Sequence, residues 1–136
     1  MKILAIDFGT KRIGLAISDE TETLARELDI LSPKEFWQKL AGILSDNEIG
    51  KIIIGLPLNM SGEPTQKTSE VKQFAKQVES KTDIQVELAD ERLSSQMAES
   101  ISGSSQNLDS LAAQIFLQNY LDKMKCVEPD LPNNNP

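Results

Sequence analysis

The chain has 136 residues, 39% hydrophobic and 26% charged, which suits one packed domain and argues against a disordered chain. It holds no histidine and a single cysteine, Cys126, so Ser-His-Asp, Cys-His and zinc–histidine sites and any internal disulfide are excluded. A formal net charge of −7 is the wrong sign for non-specific coating of nucleic acid.

No apolar run is long enough to cross a bilayer, and the N-terminus enters a strand-like segment without a secretory signal pattern. A cytoplasmic protein with no membrane contact is expected. Catalysis, if present, must rest on carboxylates, hydroxyls, lysines, arginines and a bound metal.

Lys2–Asp7 is almost wholly apolar, as a central strand buried on both faces would be. Phe8-Gly9-Thr10-Lys11 makes a short polar turn into Arg12–Ser18, where Ile13, Leu15 and Ile17 alternate, so the two strands form an antiparallel hairpin. Thr23–Leu31 reads as a third strand with Leu24, Leu28 and Ile30 on one face. Ser32-Pro33-Lys34-Glu35 is a capping box with proline at the first helical position, opening a helix to about Asn47.

Lys51–Leu56, with three consecutive isoleucines, is a second buried strand, and the Pro57–Pro64 loop follows it. Val71, Phe74, Ala75 and Val78 mark a helix over Thr65–Lys81. Asp83–Ala89 alternates as a fifth strand. A short helix over Ser94–Ser102 and a longer one over Leu108–Lys125 complete residues 1–125, read as one domain. Residues 126–136, rich in proline and asparagine, read as a disordered tail.

The order predicts an α/β fold: a mixed five-stranded sheet flanked by helices. The first three strands pair antiparallel, and the fourth and fifth pair in parallel through crossovers.

Three positions hold acidic groups where strands or helices end. Asp7 closes the most buried strand, Asp90 and Glu91 close the fifth, and Asp109 opens the last helix. Taken singly, Asp7 reads as a turn cap, Glu91 as a loop carboxylate paired with Arg92, and Asp109 as a partner of the helix dipole. Together they can converge on one sheet edge. Clustered carboxylates repel unless a hard cation such as Mg²⁺ or Mn²⁺ lies among them, and such a site suits phosphoryl transfer.

Four ordered segments then stand out: Asp7-Phe8-Gly9-Thr10-Lys11-Arg12-Ile13-Gly14-Leu15-Ala16; Ile54-Gly55-Leu56-Pro57-Leu58-Asn59-Met60-Ser61-Gly62; Asp90-Glu91-Arg92-Leu93-Ser94; and Leu108-Asp109-Ser110-Leu111-Ala112-Ala113 with Leu121-Asp122. In order and spacing they resemble the YqgF (RuvX) family, from about Met1 to Lys123. The resemblance implies an RNase H-like fold and a metal-dependent nuclease. It implies that the substrate is nucleic acid, the precursor of 16S ribosomal RNA within pre-ribosomes, cut at its 5′ end. Cleavage of four-way DNA is the alternative.

By the same resemblance the catalytic and metal-binding triad falls on Asp7, Glu91 and Asp109, with Asp90 the lesser candidate for the second position. Lys11, Arg12 and Arg92 would bind the scissile phosphate, and Asn59 would contact substrate from its loop. Gly9 and Gly14 would let the hairpin turn tightly and bring backbone close to substrate.

Residues 103–107 carry no lysine or arginine, which with the −7 charge points to modest RNA affinity. No dimerisation element stands out, so a monomer or weak homodimer is expected.

Two other classes share some of these features. The Asp-Phe-Gly-Thr hairpin also resembles the phosphate-binding turn of the actin, Hsp70 and sugar-kinase superfamily, but those proteins close two such domains on a nucleotide. A ribosome-assembly or transcription adaptor would keep the fold without cleavage, and the acidic triad argues against it.

Overall fold

Aliphatic residues of three adjacent strands make the centre of the molecule. In this computed structural model, residues 1–9, 11–56, 65–90 and 108–130 are described, the side chains of 90, 108–111 and 124–130 excepted. Ile3 to Ile6 of β1 (Lys2–Phe8) and Ile52 to Ile54 of β4 (Ile49–Leu56) are fully buried, which is why neither shows polar alternation. Between β1 and β4 in sequence lie β2 (Ile13–Ser18), β3 (Ala25–Leu31) and α1 (Pro33–Asp46). After them come α2 (Gln66–Lys81), β5 (Gln85–Asp90) and α3 (Leu108–Asp130).

The five strands form one sheet in the order β3-β2-β1-β4-β5. β2 pairs antiparallel with both β1 and β3, while β1–β4 and β4–β5 are parallel. The first strand is therefore central, and the expected mixed sheet is present. One face, carrying Leu4, Ile6, Leu15 and Ile54, packs on α1 and α2 through Phe36, Leu40, Val71 and Phe74. The other, carrying Ile3, Ala5, Ala16 and Ile53, packs on α3 through Ala113, Phe116, Leu117 and Leu121. Burial of these side chains contributes about 1.5–3 kcal/mol for each large aliphatic or aromatic residue.

Local signals explain the boundaries. At α1 the Glu35 N–H donates to Ser32 Oγ at 3.2 Å, and the Ser32 N–H donates back to Glu35 Oε1 at 3.0 Å, the expected capping box. At α2 the N-cap Thr65 N–H donates to the buried Thr68 hydroxyl at 2.8 Å.

The third strand differs from expectation. It starts at Ala25, because Asp19 holds the preceding residues in a turn: its carboxylate accepts the Thr23 N–H at 2.8 Å and the Leu24 N–H at 3.3 Å. Leu24 is thereby 64% exposed. A register shift between Leu15 and Ala16 then breaks the alternation of β3, so Leu15 opposes Asp29 while Ala16 opposes Glu27. Leu28 packs on the α1–α2 side, and Leu24, Leu28 and Ile30 do not share a face.

Other ends move by one or two residues: β2 begins at Ile13, β4 at Ile49 and β5 at Gln85. The last helix runs to Asp130, so residues 126–130 of the expected tail are helical, and 131–136 lie outside the described residues. The Pro57–Pro64 loop and the helix expected over Ser94–Ser102 also lie outside them. Among the described residues no helix is long and apolar enough to cross a membrane.

Candidate functional site

Parallel pairing of β1, β4 and β5 brings their carboxyl ends to one edge of the sheet, where open α/β sheets place their ligands. Asp7 lies on that edge of β1, half-buried, one residue beyond the Ile6–Ile54 pair and opposite Gly14 of β2. The period of a strand is two, so Asp7 lies on the face of Ile3 and Ala5, the face that α3 covers. Ala89 of β5 packs on the same face.

The direction of α3 follows from its polar contacts. Tyr120 donates to Glu87 Oε1 at 3.0 Å and accepts from Lys51 Nζ, and Lys51 is the register partner of Ile3. Asp7 stands four residues beyond Ile3, about 13 Å along β1 at ~3.3 Å per residue. Asp109 stands eleven residues before Tyr120, about 16 Å along α3 at ~1.5 Å per residue. Tyr120 thus sits level with Ile3 to Ala5, because Glu87 is in register with Ile53 and Ile53 with Ala5. Gln118 donates to Thr23 O and Gln114, one turn earlier, to Ala25 O, so α3 leads back towards the carboxyl ends of β1, β4 and β5 as it nears its first turn.

Of the candidate residues, Asp7, Lys11 and Arg12 are described with their side chains. Lys11 and Arg12 are exposed on the link between β1 and β2. Asp109 is placed by its backbone as the second residue of α3. Asp90 is the last residue of β5, while Asn59, Glu91 and Arg92 lie outside the described residues. Among the described residues no three acidic, cysteine or histidine side chains gather as a metal site, and two members of the expected triad are not described at side-chain level.

Gly9 belongs to the same turn. A Cβ there would come within 2.5 Å of the Arg12 carbonyl oxygen, so the link needs glycine for close backbone approach. Gly14 lies in β2, the second strand of the hairpin, opposite Asp7.

Phe8, next along β1, faces the other way and lines an open groove of about 350 Å³ with Pro33, Trp37, Gln73, Phe74 and Gln77.

Five polar residues at the opposite end of the sheet were not singled out in the sequence. Lys51 Nζ lies 2.7 Å from Glu87 Oε1 and 5.1 Å from the centroid of the Tyr120 ring. Gln118 accepts the Ala25 N–H at 2.9 Å and donates to Thr23 O at 2.9 Å, while Gln114 donates to Ala25 O at 3.2 Å. The available signal was a pair of glutamines four apart on the helix beside its apolar stripe.

Sheet order, pairing directions and helix placement define an RNase H-like fold. RuvC of Thermus thermophilus in complex with a Holliday junction substrate has this fold, with a TM-score of 0.59 and 12% identity over 92% of this chain and 96% of that one. The chain belongs to the RuvX family, described as a Holliday junction resolvase, which it matches over residues 1–123. A protein of Maridesulfovibrio salexigens named "Putative pre-16S rRNA nuclease" is 40% identical, over 89% of this chain and 98% of its own. One of the same name from Sulfurihydrogenibium sp. is 34% identical, over 90% of this chain and 91% of its own.

Proposed function

We propose that the protein is a metal-dependent nuclease that hydrolyses phosphodiester bonds in the precursor of 16S ribosomal RNA, in the cytoplasm, during maturation of its 5′ end. The observation that carries the reading is the common sheet edge. The carboxyl ends of β1 and β5 lie there, and α3, with Asp109 in its first turn, leads back towards that edge. The relatives' name supplies the substrate.

Asp7, Glu91 and Asp109 are the ligands in this reading. Glu91 is preferred to Asp90 by the resemblance of Asp90-Glu91-Arg92-Leu93-Ser94 to the RuvX family. The donors are carboxylate oxygens throughout, which fits Mg²⁺ or Mn²⁺. The bound ion would supply Lewis-acid polarisation of the scissile phosphate. Lys11, Arg12 and Arg92 bind its oxygens by charge-assisted hydrogen bonds, and Asn59 contacts the substrate strand. A nucleic-acid chain is held at this edge by a monomer or weak homodimer, with no membrane involved.

Cleavage of precursor 16S RNA and of a four-way DNA junction, each with and without Mn²⁺, tests the reading. The RNA should be cut and the junction left, and Asp7→Asn should abolish cleavage while the far-ultraviolet circular dichroism stays unchanged. Full activity in Asp7→Asn overturns the site, and preferential cutting of the junction overturns the substrate.

A further inference from the structure

The apolar face of α3 holds the helix against the sheet, but it does not fix how far the helix reaches along it. Ala113, Phe116, Leu117 and Leu121 pack on Ile3, Ala5, Ala16 and Ile53. Such burial is non-directional, and a small slide along the axis changes the buried area little. Hydrogen bonds have no such tolerance, because they weaken steeply within a few tenths of an ångström and with angle.

Among the described residues, the hydrogen bonds from α3 to the sheet lie towards the amino half of β1 and the start of β3. Gln118 grips the start of β3 with both ends of its amide, accepting from Ala25 N–H and donating to Thr23 O, each at 2.9 Å. The Tyr120 hydroxyl lies between Lys51 of β4 and Glu87 of β5, which are themselves paired at 2.7 Å. Two points within one turn of the helix are thus tied to β3 on one side and to β4 and β5 on the other. A helix held on both flanks at one level can neither slide nor roll there. Asp109 lies on the same rigid helix, eleven residues towards the amino terminus.

We infer that Gln118 and Tyr120 are positioning residues. They lock the axial register of α3 and so set where its first turn, with Asp109, stands relative to Asp7. The inference rests on the reading of Asp109 as a metal ligand. A shift of about 1 Å at such a centre is enough to cost roughly 100-fold in rate, without loss of fold.

The test measures Mn²⁺ affinity by calorimetry, together with kcat and KM for precursor 16S RNA, in Gln118→Leu, Tyr120→Phe and Asp109→Asn. All measurements are made well below each variant's melting temperature. Gln118→Leu roughly keeps the volume of the side chain and removes its two bonds to the start of β3 together with the one to Asp122 Oδ1, and Tyr120→Phe removes only the hydroxyl. Each should weaken Mn²⁺ binding and lower kcat by about 10–100-fold, the usual effect of losing a group that orients a ligand. KM for the RNA should stay within about twofold, since neither residue adjoins the substrate edge. A purely structural role would lower the melting temperature and leave metal affinity untouched.

If Gln118→Leu fails to fold, Tyr120→Phe carries the test with the same readouts. Wild-type metal affinity and kcat in the folded variants, beside loss of both in Asp109→Asn, overturn the inference and leave the site standing. Wild-type metal affinity and cleavage in Asp109→Asn overturn the site, and the inference with it.

Discussion

Phe8 and Phe74 stack at 4.4 Å between ring centroids with planes 29° apart, joining the carboxyl end of β1 to the middle of α2. Phe8 follows Asp7 directly, and successive strand residues face opposite sides of the sheet. The ring therefore anchors, from beneath, the stretch of backbone that carries the candidate ligand. Phe74 also meets Phe36 at 5.4 Å and Trp37 at 5.5 Å, so one side chain closes the whole aromatic cluster.

Phe74→Ala should therefore be among the most costly substitutions in the molecule. Phe74 is 4% exposed, and truncating a buried phenylalanine costs about 3–5 kcal/mol from lost burial and the cavity left behind. Urea unfolding followed by tryptophan fluorescence reads both the loss and the change around Trp37. A loss below about 1 kcal/mol would mean that the cluster relaxes into the space.

Gly9→Ala should disturb the β1–β2 link. The added Cβ would meet the Arg12 carbonyl oxygen, a backbone atom that cannot move aside without shifting the turn. A cost of about 1–3 kcal/mol is expected, as for other forced overpacking. Amide exchange should rise at Ile13 and Gly14, the residues paired with Phe8 and Asp7. Unchanged exchange there would show that the turn absorbs the methyl.

The Lys51–Glu87–Tyr120 cluster predicts a pH dependence of stability. The hydrogen bond from Lys51 holds the Glu87 carboxyl below its ordinary value of 4.5, against the opposing effect of burial. Burial pushes Lys51 down, but the bonds to Glu87 and Tyr120 outweigh it, so its value stands above 10.5. Burial holds Tyr120 above 10.0, the Glu87 hydrogen bond adding to it and the Lys51 bond opposing it.

A depressed carboxyl stabilises the fold above its unfolded value and loses that contribution as pH falls through the folded one. Raised groups stabilise below their unfolded values and lose the contribution as pH rises through the folded ones. Glu87→Gln should thus cost a constant amount at neutral pH, about 1 kcal/mol or less for so exposed a pair. The difference from the wild type should shrink below pH 4.5 and again above pH 10.5. Thermal melts of both proteins across that range check it, and a difference independent of pH would remove the ion pair from the account.

Element types were legible wherever a local rule governs them. Ser32, Pro33 and Glu35 specify the start of α1 within one turn of chain, and Ile52–Ile54 can only be a strand buried on both faces. The third strand was legible in type but not in facing. Its boundary depends on the Asp19 carboxylate bonding Thr23 and Leu24, and its facing on a register shift against β2. A bulge is a property of two strands together, so no reading of one strand reveals it.

By itself the sequence determined that carboxylates must carry any catalysis, since the chain has no histidine and one cysteine. It also determined the order of elements and hence a sheet with β1 at its centre. The tertiary structure decided which face each residue serves. Whether Asp7 shares a side with Ala89 depends on the register of β1, β4 and β5, which comes from packing the two cores at once. It also decided the reach of α3, through Gln118 and Tyr120 bonding to residues 93 and 33 positions away in sequence. Helix periodicity shows which stripe is buried but not where along the sheet it comes to rest, because apolar contact is nearly indifferent to sliding and only directional bonds between distant segments set the stop.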